Sequence, residues 1–186
     1  MFVTRQMVSE MTAHYGVPEQ ATFSFPVKDD EFSFIRSTQK HERRHDVTLY
    51  IHKDDEVIVI AKHHYPPGMY RAPSGGLHPG ESFECGIARE VMEETGTQIE
   101  VERFLLESQV TFTRGADVIP WTSYVFRARY LSGDFQFTDC REIREVRTAK
   151  LSEFVEFARI MRTLEVGGLH YRAALHERVE PLLVLA

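Results

Sequence analysis

Two β-branched runs near the middle of the chain show the clearest strand pattern. VTLYI at 47–51 and EVIVIA at 56–61 are apolar, and the polar HKDD between them predicts a turn. The two runs therefore predict a hairpin that enters a central sheet. Alternating apolar and polar positions predict three further strands, at 101–110, 118–130 and 145–150.

Apolar residues recur at helical spacing in segments before and after these strands. The segment 82–96 predicts a helix, because Ser82 can cap its start and Gly96 can end it. Hairpins and helices in this order predict an α/β fold in which helices cover both faces of a mixed β-sheet. The other helices are predicted at 4–15, 151–164 and 169–183, with Gly167 and Gly168 breaking the chain between the last two.

The chain length predicts one domain over residues 1–186, since no repeat or flexible linker divides the sequence. Residues 1–45 read as an N-terminal extension of that domain. Within it, FSFPV at 23–27 and FSFIR at 32–36 flank a polar turn and predict a β-hairpin. HERRH at 41–45 predicts a solvated connection into the first strand of the central sheet.

Composition and charge narrow the classes of function. The net charge of −6 argues against a broad nucleic-acid surface, which normally needs clustered Lys and Arg. No apolar stretch reaches the length of a membrane span, and the first residues lack a secretion signal, so the sequence predicts a cytoplasmic protein. Cys85 and Cys140 lie too far apart for a zinc motif and predict reduced thiols.

The predicted helix 82–96 carries an acidic face. Glu93 and Glu94 follow Glu90 by three and four positions, which places the three carboxylates on one side of a helix. Like charges at this spacing repel, and Mg²⁺ prefers carboxylate oxygens while bridging to phosphates. The face therefore predicts a site for Mg²⁺ or Mn²⁺. The residues on the opposite face are predicted to pack against the sheet, and they are Cys85, Ala88, Val91, Met92 and Thr95.

The loop before this helix adds backbone and charged groups to the predicted site. Gly75 and Gly76 allow the chain to approach a cation or a phosphate closely, and the Gly75 carbonyl can then serve as a ligand. Arg89 can hold Glu90 or a neighbouring carboxylate by a charge-assisted hydrogen bond. Glu81 can orient a water molecule or another ligand at the metal. Together these groups can activate water and neutralise charge on phosphate.

A solvated, charge-rich helix face is the alternative interpretation of the acidic cluster. Seven fixed positions decide against it, because at roughly 7% usage each they coincide by chance about once in 10⁸ starting points. Fewer than about 200 starting points exist in a chain of this length. The seven positions are Gly75, Glu81, Arg89, Glu90, Glu93, Glu94 and Gly96.

The segment GGLHPGESFECGIAREVMEETGT at 75–97 resembles the signature of the Nudix hydrolase family, and the wider resemblance covers 46–158. It implies an α/β/α sandwich and water attack on a diphosphate linked to another moiety, usually a nucleoside. It also implies the residue roles. The metal ligands are Glu90, Glu93, Glu94 and the Gly75 carbonyl, Glu81 supports the site, and Arg89 orients Glu90.

Two positions depart from the family pattern, and neither is a ligand. Thr97 stands where the family has an aliphatic residue, which alters packing. Ser74 stands where many relatives have Pro, and we favour a role in the turn over a hydroxyl near the metal. Some relatives recruit a further acid from a later loop as a base or ligand. Glu142 is the first choice here, ahead of Asp139 and Glu145, although solvated acids are an equal alternative.

Other side chains are candidates for substrate contacts. Lys62 and Arg71 are the nearest cations to the motif, while His63 and His64 read as turn or surface residues. The N-terminal hairpin can either exchange between the subunits of a homodimer, as extensions of some dimeric relatives do, or cover an edge strand. Phe112, Trp121 and Tyr124 can stack on a base, but alternation along their strands favours core packing.

The expected function is metal-dependent hydrolysis of a pyrophosphate bond in a small nucleotide-type substrate, such as a nucleotide sugar or ADP-ribose. Two alternatives stay open. One is a nucleotide-binding sensor or scaffold on the same fold, although such proteins often lose the acidic residues that are all present here. The other is an enzyme like isoprenoid diphosphate isomerase, for which the sequence shows no clear cysteine and glutamate pair.

Overall fold

The computed structural model describes residues 3–39 and 43–184, and its centre is a mixed sheet of seven strands. The strands are β1 (Glu19–Pro26), β2 (His45–Lys53), β3 (Glu56–Lys62), β4 (Ser74–Gly75), β5 (Thr97–Arg114), β6 (Asp117–Gly133) and β7 (Ile143–Lys150). The helices are α1 (Arg5–Tyr15), α2 (Asp29–Thr38), α3 (Phe83–Thr95), α4 (Phe154–Thr163) and α5 (Gly167–Val184). None of these helices is long and apolar enough to cross a membrane.

The strands lie in the order β1-β5-β6-β2-β3-β7, and β4 pairs with β2 away from this path. β2 and β3 form the predicted antiparallel hairpin, and β7 pairs antiparallel with β3. β5 and β6 form a long antiparallel pair, while β6 runs parallel to β2. The predicted mixed sheet is confirmed, and the strands predicted at 47–51, 56–61, 101–110, 118–130 and 145–150 are each present in longer form.

Alternation along the strands divides the core between the two faces of the sheet. One face packs against α1 and α3 and includes Leu49 and Ile51 of β2. The other face packs against α2, α4 and α5 and includes Tyr50, the residue between them. Helices therefore cover both faces, as the sequence predicts.

The predicted N-terminal hairpin is wrong, because only its first half is a strand. All of FSFPV except Val27 lies in β1, which runs parallel to β5 and extends the edge of the sheet. FSFIR lies in α2. The first turn of α2 carries Asp29, Asp30 and Glu31, and the N-terminal end of a helix favours negative charge. Helical spacing buries Phe32, at 3% exposure, and leaves Phe34 outside.

The predicted solvated connection at 41–45 is described only in part, because residues 40–42 lie outside the described ranges. His45 is buried and opens β2, so the strand begins earlier than VTLYI suggests.

Gly167 and Gly168 also differ from the prediction, because they begin α5 instead of separating two helices. Their backbone N–H groups donate to the two carboxylate oxygens of Glu31, at 3.0 and 2.5 Å. A carboxylate at a helix N-terminus satisfies donors that have no partner within the helix. Glu31 therefore joins the start of α5 to the start of α2.

A histidine inside this second face predicts that stability falls in mild acid. His176 of α5 stacks on Phe154 with a centroid distance of 4.1 Å, and burial lowers its pKa from 6.5 to about 4. Between these values the unfolded chain takes up a proton that the folded chain does not, so the free energy of unfolding decreases as pH falls. From pH 7.5 to 5 we expect His176 to account for a loss of about 2 kcal/mol.

Urea unfolding of the wild type and His176→Phe at both pH values tests this expectation. The variant should lose less stability than the wild type, since Phe keeps the stacking and takes no proton. His45, whose pKa burial also lowers to about 4, is present in both proteins and cancels in the comparison. Equal losses in the two proteins would contradict the assignment to His176.

Candidate active site

Strand pairing and helix capping fix the loop and helix of the acidic motif. β4 pairs antiparallel with the start of β2, matching Gly75 to Val47 and Ser74 to Thr48. Ser82 caps α3, its Oγ accepting from the Cys85 N–H at 3.2 Å. Gly96 ends α3 in the left-handed conformation at φ 66°, which favours glycine. The predicted helix over 82–96, with both caps, is confirmed.

The buried face of α3 differs from the predicted one. Cys85, Ala88 and Met92 are exposed, whereas Val91 and Thr95 are buried as predicted. The core stripe is formed at spacings of four by Phe83, Ile87, Val91 and Thr95. The helix is therefore rotated relative to the predicted orientation, and Glu90 and Glu94 point inward toward β4 and the glycine that follows it.

Arg89 and Glu81 clamp the loop onto the helix. The guanidinium donates to both carboxylate oxygens of Glu81, from Nε at 2.9 Å and Nη2 at 2.8 Å. Nη2 also donates to the Gly76 carbonyl at 3.0 Å, and the His78 N–H donates to Glu81 at 2.8 Å. Hydrogen bonds from Arg89 lower the pKa of Glu81 to about 2, so this carboxylate stays ionised at neutral pH.

Glu90 lies directly against the glycine backbone. Its carboxylate accepts from the Gly76 N–H at 3.1 Å and from Arg89 Nη1 at 2.9 Å. A Cβ added to Gly75 would lie 1.9 Å from the carboxyl carbon of Glu90, so no other residue fits there without displacing the acid. Burial raises the pKa of Glu90 although Arg89 opposes the shift.

Glu94 is the most buried acid of the motif, at 5% exposure. Its carboxylate accepts from the Ser74 N–H at 2.8 Å and lies 3.7 Å from Arg71 Nη2. Burial raises its pKa to about 7, and Glu90 adds to the shift while Arg71 and Lys62 oppose it. Two partly compensated carboxylates therefore face the same glycine turn.

Glu93 stands apart from this pair. Its side chain is 46% exposed and lies 3.3 Å from Arg89 Nη1. Among the described residues, no three acid, histidine or cysteine side chains converge closely enough to enclose an ion. The structure thus brings two of the three predicted carboxylates to the glycines.

A cleft of about 330 Å³ opens above Gly75, Glu90 and Glu94. Side chains from distant parts of the chain line it, and the sequence predicts no role for several of them. The lining includes Phe34, Arg43, Asp46, Lys62, Arg71, Trp121, Asp139, Glu142 and Arg172.

Two further acidic residues of the cleft, Glu142 and Asp46, also form ion pairs. Glu142 accepts from Lys62 Nζ, and this hydrogen bond lowers the pKa of the carboxyl group. Asp46 accepts from Arg172 at 2.5 Å and from Ser123. Burial acts to raise the pKa of Asp46, but the Arg172 charge and these hydrogen bonds outweigh it, so the pKa is lowered.

The remaining candidates are divided between the cleft and other places. Asp139 lines the cleft, whereas Glu145 accepts from the Tyr70 hydroxyl at 2.9 Å. His63 is exposed, with Nε2 3.1 Å from the Cys140 carbonyl, and His64 packs edge-on against Tyr65. Trp121 lines the cleft, while Tyr124 belongs to the core as predicted.

Ser74 and Thr97, the two departures from the family pattern, both have local partners. The Ser74 hydroxyl accepts from Arg71 Nη1 at 2.7 Å, which helps to place that guanidinium beside Glu94. Thr97 is buried, and its hydroxyl bonds to Thr95 at 2.7 Å.

The chain is similar to known proteins in sequence and in fold. The NUDIX domain profile matches residues 42–166. NAD-capped RNA hydrolase NudC of Stutzerimonas stutzeri (strain A1501) is 26% identical over 97 residues, covering 46% of this chain and 35% of that protein. NudC of Pseudomonas syringae pv. syringae (strain B728a) is 32% identical over 89 residues, covering 46% and 29%. The chain therefore spans about a third of the length of these relatives.

Two solved structures have a similar fold. An Ap4A hydrolase of C. elegans has a TM-score of 0.51 at 18% identity, covering 77% of this chain and 99% of that one. A NUDIX hydrolase from Nitrosomonas europaea has a TM-score of 0.50 at 21% identity, covering 72% and 89%. The profile match covers more than half of the chain and includes the whole acidic motif. This chain belongs to the Nudix family.

Proposed function

We propose that this chain hydrolyses the pyrophosphate bond of a nucleoside diphosphate linked to another moiety, such as a nucleotide sugar or ADP-ribose. One observation carries the proposal. Glu90 and Glu94 lie beside the Gly75 turn on the floor of a cleft wide enough for part of such a substrate. The NudC relatives act on NAD-capped RNA by their name, which is consistent with a nucleotide substrate.

The donors on the cleft floor fit Mg²⁺ or Mn²⁺. Both ions prefer oxygen ligands and keep positions for substrate phosphates. Glu90, Glu94 and the Gly75 carbonyl would hold the ion, and Glu93 on the same helix would complete the set. When bound, the ion would stabilise charge on the phosphate and make water more acidic. Burial raises the pKa of both Glu90 and Glu94, and Arg89 and Arg71 offset this only in part, so a bound cation would stabilise the two charges further.

The other residues hold the site in place. Arg89 and Glu81 keep the glycine loop against α3, so that Gly75 and Glu90 stay in contact. Glu142 is a weaker proton acceptor than an ordinary glutamate, because the hydrogen bond from Lys62 lowers the pKa of its carboxyl group. We therefore assign Glu142 to orienting Lys62 toward a substrate phosphate.

Aromatic and apolar side chains at the cleft support a nucleoside as part of the substrate. Phe34 is 67% exposed and lines the cleft together with Trp121 and Ile35. Aromatic side chains of this kind stack on bases. Neither Cys85 nor Cys140 lines the cleft, which disfavours an enzyme like isoprenoid diphosphate isomerase.

Turnover of a substrate panel tests the proposal. ADP-ribose, nucleotide sugars, diadenosine polyphosphates, NADH and noncanonical nucleoside triphosphates are incubated with Mg²⁺ or Mn²⁺, and products are identified by mass spectrometry. We expect at least one compound to yield two phosphate-bearing products, with no turnover in a chelator. Lack of turnover of the whole panel with both ions would contradict the proposal.

A further inference from the structure

Arg43 reaches the glycine turn from just before β2. Because β2 pairs with β4, the residues that precede β2 lie beside those that follow β4. The guanidinium fills the space over Gly76, where an added Cβ would lie 1.8 Å from Arg43 Nη1. Arg43 therefore belongs to the cleft wall, next to the glycine whose N–H donates to Glu90.

In the part of the chain that the structure describes, Arg43 differs from the other cations of the cleft, because each of those pairs with a carboxylate. Lys62 pairs with Glu142, Arg71 with Glu94 and Arg172 with Asp46. The buried Nε of Arg43 has no hydrogen-bond partner within 3–39 and 43–184. A buried donor without a partner is costly, and a guanidinium adds charge to that cost.

A phosphate would satisfy this guanidinium. Its planar fork of N–H donors matches two phosphate oxygens, and such charge-assisted bonds are about twice as strong as neutral ones. We infer that Arg43 is a substrate-binding residue that holds a phosphate of the nucleoside diphosphate over Gly76. This inference rests on the proposed function, because the phosphate is taken to be that of the substrate in the same cleft.

The cleft floor and Arg43 then have separate tasks. The floor is acidic, and the phosphate next to it needs a cation for its charge. Arg43 gives a fixed cation over Gly76, the glycine whose N–H donates to Glu90. We therefore expect loss of Arg43 to weaken ground-state binding of the nucleoside diphosphate. Loss of a carboxylate on the floor should instead lower the rate of hydrolysis.

Binding of the methylene analogue of ADP, whose P–C–P bridge resists hydrolysis, tests the role of Arg43. Isothermal titration calorimetry with Mg²⁺ compares the wild type with Arg43→Ala, Arg43→Lys and Arg44→Ala. Arg44 is the matched control, as an exposed arginine next in sequence. We expect Arg43→Ala to bind about 10- to 100-fold more weakly, Arg43→Lys to recover part of the loss, and Arg44→Ala to match the wild type.

An affinity of Arg43→Ala within twofold of the wild type would overturn the inference, as would a wild type that does not bind the analogue. Circular dichroism and the urea midpoint show whether each variant is folded. If Arg43→Ala does not fold, the affinity of Arg43→Lys is compared with that of the wild type instead. Since the analogue is not cleaved, this result is separate from the proposed function. A chain that binds through Arg43 and cleaves nothing would refute only the proposed function.

Discussion

Glu90→Gln is expected to lower kcat/KM by about 10³-fold for any substrate that the wild type hydrolyses. The amide keeps the shape of the side chain and can still accept from the Gly76 N–H, which Glu90 meets at 3.1 Å. It removes the negative charge beside Gly75 and hence most of the attraction for a divalent cation. Steady-state kinetics at saturating Mg²⁺ measures the loss.

Glu84→Gln is the matched control for this change, because Glu84 is an exposed glutamate on the first turn of the same helix. Its kcat/KM should equal that of the wild type. Glu90→Gln should also stay folded, since burial already raises the pKa of Glu90 and thus favours a neutral group there. A folded Glu90→Gln variant with at least a tenth of wild-type activity would sink the assignment.

Asp46→Ala is expected to lower the free energy of unfolding by about 3 kcal/mol. Asp46 and Arg172 are 7% and 21% exposed as side chains, and they join β2 to α5 through a 2.5 Å hydrogen bond. Removing the acid leaves a cation in a largely buried place and also leaves Ser123 without its acceptor. Urea unfolding measures the shift in midpoint at constant slope.

The exposed pair of Lys28 and Glu165 gives the control for this prediction, with side chains 61% and 84% exposed. Glu165→Ala should leave the midpoint unchanged, because solvent screens such pairs. Combining Asp46→Leu with Arg172→Met should recover much of the loss, since an apolar pair of similar volume avoids the unpaired cation. If Asp46→Ala and Glu165→Ala behaved alike, the pair would not stabilise the fold.

Local signals explain which elements were predictable. α3 carries its own cap at Ser82, its own stop at Gly96 and a helical pattern over 13 residues, so its bounds follow from the sequence alone. FSFIR is shorter, and its apolar spacing fits a strand as well as a helix. The three acids before it are a helix-start signal, and Glu31 gains its full role only through contact with the distant α5.

The site was predictable where its parts are close in sequence. Glu81, Arg89, Glu90 and the glycines lie within one motif, and the structure brings them into direct contact. Arg43 and Asp46 reach the cleft only because β2 pairs with β4 and β6. Such partners are set by the sheet order, which spacing along the chain does not reveal. The orientation of α3 about its axis likewise depends on which of its side chains pack against the sheet.

Hydrolysis in water labelled with ¹⁸O tests the central claim most directly. The best substrate from the panel is cleaved with Mg²⁺, and mass spectrometry locates the label in the products. Attack of water on phosphorus predicts one ¹⁸O atom in the phosphate of one product and none in the other. Label in the non-phosphate moiety, or products without label, would contradict attack of water on phosphorus.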